Sequence, residues 1–168
     1  IVSRDWSSDV CSSDLLSPKS KGTNPLEYCR KKGDELAIFA KENKTKSITL
    51  EDVDANPKFV LAVAEGLVLG SYAFSKYKTA PQKHENSLKT VQLISTGVSS
   101  KEVDFINAAA TGTYCARTLV NEPLSYLTAV QLGKDIIKFG KKYGFKTDVL
   151  LKSKIKSLNM GGLLAVMV

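Results

Sequence analysis

The acids Glu51, Asp52 and Asp54 form a dense cluster of carboxylates in the chain. A pair of divalent cations needs several carboxylates converging from different elements, with the metals about 3.5–4 Å apart. Three acids in one short stretch, directly before Asn56-Pro57, instead read as surface charge favouring the start of a helix. His84 is the single histidine and lies in the polar stretch Thr79 to Ser87 with no Cys or Ser beside it, which speaks against a triad or a zinc site. The 3 cysteines, Cys11, Cys29 and Cys115, form no CxxC pair and are odd in number, so neither a disulfide framework nor a zinc knuckle is expected. Cys29 and Cys115 fall on apolar faces and read as small buried hydrophobes. Gly161-Gly162 precedes an expected strand rather than a helix, so it is not read as a phosphate cradle. Arg117 and Asn121 read as structural contacts at a domain junction. No position is assigned a catalytic, cofactor-binding or metal-ligating role.

With 168 residues, 43% of them hydrophobic and 24% charged, the chain has the composition of a folded soluble protein of about one domain. Its net charge of +7 is mostly lysine, spread as Lys134, Lys138, Lys141-Lys142, Lys152, Lys154 and Lys156 and similar spacings upstream. Arginine is scarce and aromatics do not interleave with the charge, which favours a solvated face over a nucleic-acid surface. The longest apolar run, Phe59 to Phe74, contains Glu65 and is short of the ~20 residues that span a bilayer, so no membrane span is expected. With no secretory signal in evidence, a reducing cytoplasm is the expected compartment.

Residues 1–15 stand apart. Ser7-Ser8-Asp9-Val10 and Ser12-Ser13-Asp14-Leu15 repeat at a period that matches neither helix nor strand. The run Asp5 to Leu15 resembles the translation of a widely used sequencing-library adapter, so residues 1–15 are left out of the fold reasoning and the native N-terminal part is expected to be missing. Without them, and so without Arg4, Asp5, Asp9 and Asp14, the net charge rises from +7 to +9.

From Leu16 onward, helices and strands alternate. Asn24-Pro25 predicts a helix start, followed by a helical face of Leu26, Cys29, Leu36, Phe39 and Ala40 that Gly33 weakens. Ser47 to Leu50 predicts a strand. Asn56-Pro57 opens a second helix, reaching about Tyr77 and apolar almost all round, in which Gly66 and Gly70 allow close approach of a neighbouring backbone. A strand over Leu88 to Ser95 leads to a long helix, capped by Ser99 or Ser100 and ending near Val120. Thr128 and Gln131 match a capping box. The helix behind them carries Leu132, Ile136, Phe139 and Tyr143 on one face and stops at Gly144. A strand over Thr147 to Leu151, a short helix over Lys152 to Leu158 and an apolar strand over Leu163 to Val168 complete the series. The expected fold class is α/β with a largely parallel sheet.

Three segments, in order, resemble the cytosol (leucyl) aminopeptidase family. Glu65 to Phe74, with Lys76-Tyr77-Lys78, is similar to a buried helix of that family's N-terminal domain. Ala116 to Pro123 is similar to its "ARDLVNEP" junction, and Asn159 to Val166 to its "GMGALLAV" strand. Thr118 stands where the family usually has Asp, and Met167-Val168 depart from its pattern. The resemblance implies a macro-domain-like N-terminal part (residues 16–99), a connecting helix (100–122) and the first α/β units of a catalytic domain (123–168). It also implies peptide substrates, two divalent metals (zinc or manganese) and a homohexamer for the full-length parent. The family's "VGKG" and "NTDAEGR" metal motifs are absent, so the chain by itself is expected to be inactive and, with partners missing for its apolar elements, prone to aggregate. The alternative is a basic macro-like module binding nucleic acid or a nucleotide.

Overall fold

The computed structural model describes residues 2–3, 24–53, 55–80 and 86–166. They form two compact units divided between Asn121 and Glu122. Asp54, His84 and Met167-Val168 lie outside the described residues, as does the adapter-like run from Asp5 to Leu15.

The first unit contains β1 (Val2–Ser3), α1 (Pro25–Glu42), β2 (Ser47–Glu51), α2 (Pro57–Gly70), β3 (Thr90–Ile94) and α3 (Ser100–Asn121). Asn24 starts α1 as its sequence suggests: its side chain accepts the Leu26 N–H at 3.0 Å, and Pro25 lacks a donor where none is needed. β2 and β3 pair in parallel, Ser47 with Thr90 through Glu51 with Ile94. Val2 and Ser3, within the segment left out of the expected fold, pair antiparallel with Leu50 and Thr49. A strand edge with free N–H and C=O groups takes up any extended segment that reaches it.

The core is built from one face each of α1, β2 and α2: Cys29, Leu36, Ala37 and Ala40, then Ile48 and Leu50, then Val60, Val63 and Leu67. The two helices approach at Gly33 and Gly66. A Cβ on Gly33 would collide with the Val63 carbonyl and lie 2.6 Å from the Leu67 nitrogen; one on Gly66 would strike the Arg30 carbonyl. Gly33, expected to weaken α1, is thus the residue that lets α2 come close. Phe39, expected on the apolar face, is 40% exposed.

α2 ends at Gly70 rather than near Tyr77. The Ser71 N–H donates to the Leu67 and Val68 carbonyls, its hydroxyl donates to Leu67, and the chain then leaves the helix. At the start of α3, Ser99 and Glu102 cap reciprocally, the carboxylate accepting the Ser99 N–H at 2.9 Å and its hydroxyl at 2.7 Å. Those bonds, the backbone one first, hold the Glu102 carboxyl below its usual range. A carboxyl lowered by folding stabilises the fold above its unfolded pKa and loses that contribution as pH falls through the folded one. Amide exchange at the first turn of α3, corrected for intrinsic rates, should therefore accelerate as pH drops through the carboxylate range. A flat profile would count against the cap.

The second unit contains α4 (Ala129–Tyr143), α5 (Lys152–Ser157) and α6 (Gly161–Ala165). Thr128 accepts the Gln131 N–H at 3.2 Å, and Gly144 closes α4 in the left-handed region at φ 75°. Two expected strands are absent here. Residues 145–151 join neither a helix nor a ladder, although Val149 and Thr147 pack over Gly133 and Gly140 of α4. Leu163 to Val166, expected as a strand, lies instead in and just after α6, so Gly161-Gly162 opens a helical turn rather than a strand. A strand needs a partner, and the described residues of this unit supply none, so local i→i−4 bonding such as Leu164 N–H to the Met160 carbonyl prevails. The face of α4 predicted to be apolar is only partly covered, with Ile136 38% exposed.

Candidate functional site

The chemistry-bearing side chains that the first unit brings together lie where α3 crosses the C-terminal end of α2. A helix leaves its last carbonyls without intrahelical donors. Here α3 supplies them. The Tyr114 hydroxyl donates to the Val68 carbonyl, and Arg117 Nη1 donates to the Leu69 carbonyl at 2.6 Å. A cation at this end also meets the negative pole of the helix dipole. Burial pushes the Tyr114 phenol up, with Arg117 opposing, so the hydroxyl stays protonated and donates.

Around this pair sits a second layer of contacts. The Tyr72 ring lies 5.2 Å from that of Tyr114 and 5.7 Å below the Arg117 guanidinium. Its hydroxyl is 3.1 Å from Thr118 Oγ1 and accepts from Asn121 Nδ2 at 3.3 Å. Arg117 and Asn121, expected at a domain junction, contact partners 48 and 49 residues upstream within the first unit. Tyr72, just past the end of α2, and Tyr114, inside α3, read in the sequence only as apolar aromatics. Thr118 keeps a hydrogen bond to Tyr72, but a neutral one. Tyr72→Phe removes that hydroxyl while leaving the ring under Arg117. It should cost about 1 kcal/mol in urea unfolding, and no loss would show the hydroxyl to be idle.

The remaining candidates do not converge. Asp52 spans the sheet end, one oxygen accepting the Asn56 N–H and the other the Ser95 hydroxyl, both at 2.8 Å. Glu65 pairs with Arg30 at 2.7 Å, Glu35 with Lys32 at 2.6 Å, and Asp135 with Lys138 at 3.0 Å. Cys29 is fully buried, and burial raises its thiol above the usual value against the pull of Arg30, which makes it a poor nucleophile. Cys115, expected to be buried, is only half-buried. Among the described residues no three His, Cys, Asp or Glu side chains gather where they could hold a metal ion. No helix among the described residues is long and apolar enough to cross a membrane.

Beside the α2–α3 contacts opens a cleft of about 450 Å³, walled by Glu27, Arg30, Lys31 and Asp34 of α1 and floored by Gly66, Leu69 and Gly70 of α2, with Tyr72 and Arg117 at its end.

No family model matches the chain. Individual relatives do. It is 31% identical over 153 residues to a "Probable cytosol aminopeptidase" of Clostridium perfringens, covering 87% of this chain and 29% of that protein. It is 37% identical over 139 residues to one of Chelativorans sp., covering 77% of this chain and 28% of the relative. A mutant of tomato leucine aminopeptidase has a similar fold, with a TM-score of 0.72 at 18% identity over 86% of this chain and 30% of the tomato chain. Over most of its length this chain belongs to the cytosol aminopeptidase family, and it spans less than a third of the relatives it matches.

Proposed function

We propose that this chain is a segment of a leucyl aminopeptidase, an exopeptidase that removes N-terminal residues from peptides, and that the segment carries scaffold rather than catalytic groups. In this reading residues 16–99 are the distal part of a macro-like N-terminal domain, 100–122 a connecting helix and 123–168 the start of the catalytic domain. The whole enzyme would use two divalent metals, zinc or manganese, act in the cytoplasm and assemble as a homohexamer. The observation that supports it most is identity above 30% to cytosol aminopeptidases along most of the chain. In the whole enzyme a bound metal pair would supply Lewis-acid activation and a hydroxide, while the residues described here would contribute by holding α3 in register on α2.

The test is leucyl-anilide hydrolysis by the 168-residue chain and by a polypeptide continued downstream of Val168 to the length of the relatives, each with manganese or zinc. Activity in the longer polypeptide alone is expected. A folded longer polypeptide inactive with both metals would overturn the reading. The binding-module alternative draws on net charge and on the macro-like fold that the resemblance implies; steep salt dependence of retention on immobilised DNA would be its mark.

A further inference from the structure

We propose that the cleft between α1, the end of α2 and Arg117 binds a small aliphatic zwitterion, an amino acid or dipeptide, by its ammonium and carboxylate together. The cleft is not assigned to any step of the aminopeptidase reading and does not depend on it.

Glu27, Arg30, Lys31 and Asp34 recur at i, i+3, i+4 and i+7, so one face of α1 forms a charged wall. Part of that charge is spent internally, since Arg30 pairs with Glu65 at 2.7 Å and with Glu27 at 3.7 Å. Lys31 and Asp34 have no ion pair or hydrogen bond to any described residue. Arg117 is fixed from two directions, by the Leu69 carbonyl and by the Tyr72 ring, and one of its five N–H donors accounts for its single hydrogen bond. Among the described residues the cleft thus offers a held cation, and a cation and a carboxylate without partners.

A simple anion would meet Asp34 and Glu27, and a simple cation would meet Lys31 and Arg117. A ligand carrying both charges satisfies both sets. The floor supports the rest of the ligand. Leu69 supplies apolar contact there, and Asp34 Oδ1 lies so close over Gly70 that a Cβ at that position would run into it. The volume, about 450 Å³, falls within the ~300–1,000 Å³ of small-molecule clefts. Because the charged groups are largely exposed, each ion pair contributes little, and the expected Kd is on the order of millimolar.

The test is an amide NMR titration of the chain with L-leucine, L-leucinamide (no carboxylate) and N-acetyl-L-leucine (no ammonium). Leucine should shift signals of α1, Leu69 to Tyr72 and Arg117, and each analogue should bind roughly threefold or more weakly. Asp34→Asn should erase the preference for leucine over N-acetyl-leucine while keeping that over leucinamide. Lys31→Gln should weaken leucine and leave leucinamide unchanged. The proposal fails if no shifts appear up to tens of millimolar, if the three ligands bind alike, or if the shifts scatter over both units. These outcomes are independent of anilide hydrolysis, so the cleft and the aminopeptidase reading stand or fall separately.

Discussion

Gly66→Ala should destabilise the first unit by about 3 kcal/mol in urea unfolding followed by circular dichroism, while Gly112→Ala should stabilise it by up to ~1 kcal/mol. Both glycines lie inside helices, so intrinsic propensity favours alanine equally at each. What differs is the space. A Cβ at Gly66 would strike the Arg30 carbonyl and lie 2.7 Å from its carbon, whereas one at Gly112 meets nothing within 4 Å. Backbone atoms cannot swing aside as the end of a side chain does, so α1 and α2 must separate and loosen Leu67, Val63 and Cys29 between them. Equal effects at the two positions would mean that the close approach at Gly33 and Gly66 does not hold this unit together.

Arg117→Ala should cost about 2 kcal/mol. It removes a charge-assisted bond of 2.6 Å to the Leu69 carbonyl and a cation packed over Tyr72, leaving that carbonyl at a helix end without its donor. Arg117→Lys should recover part of the loss, since it keeps the charge at the negative pole of α2 but not the planar contact with the ring. The urea midpoint should fall with an unchanged slope, as expected when stability changes without a change in the area exposed. A midpoint equal to the parent chain's would show that Tyr114 and Ser71 suffice to hold the end of α2.

Local signals in the sequence were good guides to where helices begin. Asn24-Pro25 and the Thr128–Gln131 pair, and Gly144 at a helix end, act through atoms a few residues away, so their meaning does not depend on the rest of the fold; Asn56 precedes α2 without a side-chain cap bond, and only Pro57 acts as its spacing suggests. Residues whose structure depends on distant partners were not legible. Thr147 to Leu151 and Leu163 to Val166 have strand composition, yet composition does not supply the neighbouring strand. The apolar run of α2 continues past Gly70, whereas the helix end is set by Ser71, together with Tyr114 and Arg117 from α3. The charge row on α1 was readable as spacing. That Gly66 and Gly70 lie beneath it required the α1–α2 packing.

We propose that the described residues build a scaffold and bind no metal pair by themselves. This is tested most directly by calorimetric titration of the folded chain with manganese or zinc, with leucyl-anilide hydrolysis measured on the same sample. The account predicts no stoichiometric uptake and no cleavage. Saturable binding of two ions per chain, with hydrolysis that a chelator abolishes and added metal restores, would contradict it.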